Sequence, residues 1–278
     1  MKTIYKLFCL ASILIVTGCG SGEDSATTKS TNNSTNLTYN YYNDAWDKAR
    51  VYRPYNPIPI SIKEIGNFPP GPVAISLHGC DGVQSTNLVF GDRYYPIFLA
   101  MQGYLVIEPD SYNGMVIGDP KSLLCYTDPI QGPIYPTSST GYELSLRARD
   151  AEYAINKVKD SSFWDKKTLL VQGQSQGFII LTNIDYLTTQ SVTKWLFSGG
   201  AFFCDRIFRY PGSMFKPTNN KPTLVVNSDY DATSQECIEK TEKQFPNVSV
   251  KLISGNFHTP IFSNEGQQII KDFVKISQ

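Results

Sequence analysis

Histidine is scarce in this sequence, which contains only His78 and His258. Neither lies in the H-x-H or H-E-x-x-H spacing that is typical of zinc sites, which argues against a metal site. No organic cofactor is implied either. Charge imbalance is also missing, because 25 basic and 25 acidic residues give a formal net charge of zero. This balance, together with the lack of a Lys/Arg run, argues against nucleic acid as a partner.

A long hydrophobic run is missing as well. The apolar stretch from Leu7 to Val16 follows a short basic start; at about ten residues it is too short to span a bilayer and is typical of a signal peptide. It runs into Val16-Thr17-Gly18-Cys19, which resembles a bacterial lipobox. We therefore expect residues 1–18 to be a signal peptide and Cys19 to carry lipid. The alternative is ordinary signal cleavage with an incidental cysteine.

Apolar residues are nearly absent between Gly20 and Asn43, a segment rich in Ser, Thr and Asn. Such a segment buries too little surface to fold, so we expect residues 19–43 to form a flexible tether behind the lipid. The partner implied is a membrane, and the location is that of an exported lipoprotein on the periplasmic face or the cell surface. By resemblance to bacterial sorting signals, Gly20 after Cys19 favours the outer membrane.

The remaining residues, 44–278, have a length typical of one α/β domain. Apolar runs predict strands at 73–77, 104–108, 168–172, 194–198, 223–227 and 248–253. Periodic segments predict helices at 92–102, 143–159, 177–189, 233–244 and 264–276. Alternating strands and helices predict a mostly parallel central sheet with helices on both faces. The proline-interrupted residues 52–65 are expected to add one antiparallel edge strand.

The segment Gly173-Gln174-Ser175-Gln176-Gly177 fits the pattern G-x-S-x-G. An apolar run before it predicts a strand, and another after it predicts the start of a helix. A serine on a tight turn between a strand and a helix has its hydroxyl pushed out of the sheet, where it can act as a nucleophile. The flanking glycines are needed because side chains there would clash where the two elements cross.

A serine nucleophile needs a base and an acid that orients the base. His258 follows the last predicted strand, and two acids, Asp229 and Asp231, follow the strand before it. Chemistry in open α/β sheets gathers at the carboxyl ends of strands, so all of these residues are candidates for one site. The order Ser, Asp, His is also that of the α/β-hydrolases.

His78-Gly79-Cys80-Asp81-Gly82 follows the first predicted central strand and resembles the His-Gly oxyanion loop of α/β-hydrolases. The resemblance implies that the backbone amides of Cys80 and Gln176 bind the oxyanion. It also implies a structural His78, whose ring is hydrogen-bonded inside the loop. The alternative is that His78 is the base or a metal ligand.

Over roughly residues 70 to 275 the sequence resembles the dienelactone hydrolase family of α/β-hydrolases. Besides the segments above, the likeness rests on Gly103–Ser111 and on a helix start at Arg147–Asp150. It implies the α/β-hydrolase fold and hydrolysis of small esters or lactones through an acyl-enzyme. The family's acid loop favours Asp231 as the triad acid and leaves Asp229 to cap a turn.

The sequence departs from the family at two positions. Ser175 stands where dienelactone hydrolases proper have cysteine, which indicates a general serine esterase. Phe178 stands where many relatives carry Gly or Ala, and it is expected either to press on the helix start or to line the pocket. Two alternatives to an esterase stay open: a serine peptidase of the prolyl-oligopeptidase type, and a non-catalytic surface lipoprotein that uses the scaffold for binding.

Four cysteines remain when Cys9 of the signal peptide and the lipidated Cys19 are set aside. An even number in an exported protein indicates disulfides. We predict the pairs Cys80–Cys125 and Cys204–Cys237, with buried free thiols as the alternative. The first pair would join the oxyanion loop to the long loop 111–141, which is expected either to form a pocket wall or to be a surface excursion.

Overall fold

The structure is a computed structural model. It describes residues 44–79, 82–83, 94–111, 127–128, 132–133, 140–185, 189–199, 220–228, 235–255 and 259–276. The predicted signal peptide, Cys19 and the tether lie outside these ranges. Within the described part of the chain, no helix is both long enough and apolar enough to cross a membrane.

One large sheet organises the domain. Its strands are β1 Arg50–Tyr52, β2 Pro59–Ser61, β3 Gly71–Leu77, β4 Leu105–Glu108, β7 Trp164–Gln174, β8 Lys194–Ser198, β9 Thr223–Ser228 and β10 Val248–Ile253. They lie in the spatial order β10-β9-β8-β7-β3-β4-β1-β2. The six strands from β10 to β4 in this order pair in parallel. All of the strands predicted for the central sheet are therefore confirmed, with ends that differ by a few residues.

The predicted antiparallel edge strand within residues 52–65 is confirmed by β2, and a further short strand, β1, was not predicted. The structure has two short strands there: β1 pairs antiparallel with β4, and β2 pairs antiparallel with β1 and forms the edge. Because β1 ends at Tyr52, most of it precedes the predicted segment. The prolines are consistent with this arrangement, since Pro59 opens the edge strand and Pro54 and Pro57 lie in the connection.

The principal helices are α1 Tyr94–Met101, α2 Thr140–Lys159, α3 Gln176–Leu181, α4 Gln235–Gln244 and α5 Asn264–Val274. Helix α3 is shorter than the predicted 177–189. At its end the backbone N–H groups of Thr182 and Asn183 donate to residues three positions earlier, and their side chains also donate to the carbonyl of Ile179, at 2.7 and 2.9 Å. The predicted loop 111–141 includes a small antiparallel pair, β5 Thr127–Asp128 with β6 Gly132–Pro133.

Helices cover the two faces of the sheet with separate apolar cores. Helices α2 and α3 pack on the face formed by Val73, Ile75, Leu77, Leu169, Val171, Trp195, Phe197 and Val225. Helices α1 and α5 pack on the face formed by Ala74, Val106, Leu170, Leu196, Leu224 and Val226. Neighbouring residues of a strand thus point to opposite faces, as strand geometry requires. This arrangement confirms the predicted mostly parallel sheet with helices on both sides.

Helix α2 is also tied to the segment that follows α3. The carboxylate of Glu152 accepts a 2.7 Å hydrogen bond from the backbone N–H of Asp185. Burial raises the pKa of the Glu152 carboxyl, and the N–H of Asp185 partly offsets this rise. The contact fixes the far end of the α3 segment against α2.

Candidate active site

The strand order reverses between β3 and β7. From β3 the chain passes to β4 on one side, and it then returns to β7 on the other side of β3. Ligands in open α/β sheets bind at such a point, outside the carboxyl ends of the strands. Residue Leu77 of β3 is in register with Gly173 of β7. Consequently His78 and Ser175 follow neighbouring strand ends at the reversal.

Ser175 forms a one-residue turn between β7 and α3. Its φ of 56° and ψ of −115° lie in a region that side-chain-bearing residues rarely adopt, at a cost of about 1–3 kcal/mol. The side chain makes no capping hydrogen bond to α3. The residue is partly exposed, whereas its neighbours Gln174 and Gln176 are buried. The strained, outward-facing serine has the geometry of a nucleophile elbow.

Gly173 and Gly177 allow the elbow to pack. A Cβ on Gly173 would lie 2.4 Å from the carbonyl oxygen of Gly177. A Cβ on Gly177 would lie 2.2 Å from the carbonyl oxygen of Leu77 and 3.1 Å from that of His78. The clash expected from the sequence is thus present at both positions, and at Gly177 it is with the neighbouring strand β3.

We expect Gly177→Ala to destabilise the domain by about 3 kcal/mol or more, because the added methyl meets a backbone oxygen that cannot rotate away. Helix propensity alone predicts a gain in stability of about 1 kcal/mol for alanine over glycine. The steric overlap with the carbonyl oxygen of Leu77 outweighs this gain. The measurement is the free energy of unfolding in urea. Gly71→Ala is the matched control, because a Cβ there meets nothing within 4 Å, and its expected change is within about 1 kcal/mol. Equal stability of the two variants would contradict the packing described here.

Gln176 is the first residue of α3, so its backbone N–H lies outside the helical hydrogen-bond ladder and at the positive end of the helix dipole. This is the position that the sequence predicts for one oxyanion donor. Its side-chain carbonyl accepts a hydrogen bond from Nη1 of Arg147, a buried residue of α2. The second predicted donor, Cys80, lies outside the described residues.

His78 is buried at the end of β3. Its Nδ1 lies 2.8 Å from the carbonyl oxygen of Gly79, so Nδ1 carries the proton and donates. Nη2 of Arg147 donates to the carbonyl oxygen of His78 at 2.7 Å and lies 3.2 Å from Nδ1. These contacts suit a structural His78, with its ring hydrogen-bonded inside the loop, better than a base.

Hydrogen bonds connect the elbow to the adjoining strands. The backbone N–H of Ser175 donates to the carbonyl of Ser198, at the end of β8, over 3.0 Å. The Ser198 hydroxyl in turn is hydrogen-bonded to the hydroxyl of Tyr95 in α1. On the same side of the elbow, Nε2 of Gln174 donates to the hydroxyl of Thr259 over 3.2 Å. The elbow is therefore held from β8 and from the segment that precedes α5.

Several predicted site residues lie outside the described residues. These are Asp229, Asp231, His258, Cys80, Cys125 and Cys204; for Cys237, the backbone lies in α4 but the side chain is not described. The triad, the second oxyanion donor and both disulfides therefore stay predictions. Within the described ranges, no group of three His, Cys, Asp or Glu residues is placed to hold a metal ion.

Phe178 belongs to the core. Its side chain is fully buried and packs edge-to-face against Phe197 of β8, with ring centroids 5.1 Å apart. The structure therefore places this departure from the family in the packing of α3 against β8.

Sequence reasoning assigned no role to the side chain of Arg147 or to Gln174 and Thr259. A signal for Arg147 was present, because it precedes the buried Ala151 by four residues and Ala154 by seven, which places a charge on the apolar stripe of α2. The Gln174–Thr259 contact had no comparable signal, since it joins residues far apart in the sequence.

No protein-family model matches the sequence, and a search of curated proteins finds no match. Among solved structures, a thermostable esterase aligns with a TM-score of 0.50 at 15% identity, over 83% of this chain and 59% of that one. A putative dipeptidyl aminopeptidase IV from Bacteroides ovatus aligns with a TM-score of 0.50 at 13% identity, over 81% of this chain and 33% of that one. A dienelactone hydrolase from Anabaena variabilis aligns with a TM-score of 0.48 at 12% identity, over 82% and 88%.

Identities this low bear on the fold alone. The sheet order, the parallel strands, the helices on both faces and the elbow at the strand reversal agree with that likeness. The chain therefore has the α/β-hydrolase fold.

Proposed function

We propose that the protein is a serine hydrolase that cleaves carboxylic esters or lactones of small substrates through an acyl-enzyme. The observation that carries the proposal is the position of Ser175. It occupies a strained turn with positive φ at the end of β7, beside the point where the strand order reverses. Backbone strain of this kind is concentrated at active sites, and a nucleophile must present its hydroxyl where the substrate binds.

In the proposed mechanism His258 takes the proton from the Ser175 hydroxyl as its oxygen attacks the substrate carbonyl. Asp231 fixes the tautomer of the His258 ring and stabilises the imidazolium. The amides of Cys80 and Gln176 bind the oxyanion, each worth on the order of 3 kcal/mol of barrier. His258 then protonates the leaving alcohol, and a water molecule hydrolyses the acyl-enzyme by the reverse sequence of proton transfers.

The topology supports this choice of base and acid. Thr259, which follows His258 in the sequence, hydrogen-bonds Gln174, which precedes Ser175. The predicted acid follows β9, which lies two strands from β7. Because the strands run parallel, β9 ends on the same side of the sheet as β7, where the carboxyl ends of the strands lie. The segments that precede or follow the three proposed triad residues therefore lie at the carboxyl ends of the parallel strands.

A serine peptidase is the second candidate, favoured by the likeness to the putative dipeptidyl aminopeptidase. This chain spans one third of that protein's length. The likeness to a thermostable esterase covers more than half of that chain. Since both classes use the same triad, the identity of the scissile bond distinguishes them.

The test compares leaving groups on the purified protein. We expect hydrolysis of p-nitrophenyl acetate and butyrate, or of a small aromatic lactone, and much slower release of p-nitroaniline from aminoacyl and Xaa-Pro anilides. The Ser175→Ala protein supplies the background rate for each substrate. Faster cleavage of the anilides would favour the peptidase, and background rates on every substrate from folded protein would contradict a hydrolase.

We also propose that Cys19 carries lipid and holds the enzyme on a membrane. The basis is the Val16-Thr17-Gly18-Cys19 sequence and the polar tether after it. In a bacterial host, Cys19→Ala is expected to move the protein out of the detergent-extracted membrane fraction. Cys9→Ala is the matched control, because that residue is removed with the signal peptide and should leave the protein in the membrane fraction. Equal membrane association of the two variants would contradict lipidation at Cys19.

A further inference from the structure

We propose that Arg147 is a positioning residue that holds the two sides of the oxyanion hole at a fixed separation. One side is Gln176, which follows the nucleophile, and the other is the His78–Gly79 segment that follows β3. The inference rests on the proposed function, because an oxyanion hole has meaning only in a hydrolase. It concerns a residue that touches neither the nucleophile's hydroxyl nor the substrate in the proposed mechanism.

The guanidinium spans the two sides with different nitrogens. Nη1 donates to the side-chain carbonyl of Gln176, and Nη2 donates to the backbone carbonyl of His78 over 2.7 Å. The planar guanidinium fixes the angle and the distance between its donors. It therefore sets the start of α3 relative to the peptide unit that leaves β3.

The same two segments are in direct backbone contact. A Cβ on Gly177 would lie 3.1 Å from the carbonyl oxygen of His78, so the start of α3 already lies against the loop to which Arg147 donates. Packing sets how closely the two segments approach, and the guanidinium sets their relative orientation. Both are needed for two amides to point at one oxygen atom.

A charged residue at this position is costly without such a role. Arg147 is 2% exposed and shares its face of α2 with the buried Ala151 and Ala154. Burying a cation is strongly unfavourable unless hydrogen bonds and neighbouring charges compensate. The hydrogen bonds to Gln176 and His78 supply part of that compensation, and both partners belong to the site. The geometry thus connects the buried charge to both segments of the candidate site.

The test uses Arg147→Met, which keeps the apolar stem and removes the donors. We expect kcat on p-nitrophenyl butyrate to fall about 10- to 100-fold, less than the loss of a whole oxyanion donor, while KM changes by less than about 3-fold. Arg147→Lys should behave similarly, because one ammonium group cannot reproduce the forked contact. Arg149 is an exposed arginine on the same helix. The Arg149→Met variant is therefore the control and should retain the wild-type kcat.

A double-mutant cycle separates positioning from simple support. If Arg147 acts through Gln176, adding Gln176→Leu to Arg147→Met should lower kcat by less than about 3-fold further, although Gln176→Leu alone lowers it. Fully additive losses, or a KM that rises as much as kcat falls, would overturn the proposal.

Hydrogen–deuterium exchange makes the test independent of turnover. In Arg147→Met, amides in peptides covering 73–79 and 176–182 should exchange faster, and in Arg149→Met they should not. If the wild-type protein shows no Ser175-dependent hydrolysis, the proposed function fails while these exchange rates still decide whether Arg147 joins the two segments. Unchanged exchange in both peptides would overturn the proposal whatever the activity.

Discussion

Replacing Ser175 with alanine is expected to lower the kcat for ester hydrolysis by on the order of 10⁵- to 10⁶-fold. The substitution removes the attacking oxygen and keeps the Cβ. Alanine at a φ of 56° carries the same backbone strain as serine, so the variant should fold with a similar melting temperature. The measurement is the initial rate on p-nitrophenyl butyrate, with circular dichroism to establish that the protein is folded.

Ser191→Ala provides the control for this prediction. Ser191 lies three residues before β8, at the amino end of that strand. Ser175 follows the carboxyl end of the parallel strand β7, so the two serines lie at opposite ends of the strands. Its removal should leave the rate unchanged. A Ser175→Ala protein that retains more than a few per cent of the wild-type rate would contradict the assignment of the nucleophile.

Replacing Asp231 with asparagine is expected to lower kcat by about 10⁴-fold. An amide in this position no longer selects the productive tautomer of His258, and it does not stabilise the imidazolium. The experiment compares kcat for Asp231→Asn and Asp229→Asn at neutral pH on the same ester.

Asp229→Asn is the matched control, since the two acids are separated by one residue and both follow β9. It should change kcat by no more than about 3-fold, in keeping with a turn-capping role. The reverse result, with the large loss at Asp229, would show that the neighbouring acid orients the base.

The central sheet was predictable because its signal is local. Each central strand is an apolar run flanked by turn residues, and residues such as Leu169, Leu170 and Val171 are buried on both faces, as a parallel sheet requires. Strand β1 was harder to predict. It is three residues long and pairs with β4, a partner that the local sequence does not reveal.

The elbow and Arg147 show the same contrast at the site. The role of the glycines at 173 and 177 is predictable, because the G-x-S-x-G pattern itself indicates that the strand and the helix approach each other closely. Arg147 acts on residues 29 and 69 positions away, and no local pattern encodes those distances. Its place on an apolar helix stripe marks it as unusual, but only the fold supplies its partners.

Covalent labelling tests the central claim, that Ser175 is the nucleophile, most directly. The purified protein would be treated with a fluorophosphonate, and intact-mass and peptide mass spectrometry would then locate the adduct. We predict one equivalent of label per chain, carried by Ser175 and absent from the Ser175→Ala protein. Folded protein that takes up no label, or carries it on another serine, would contradict the account.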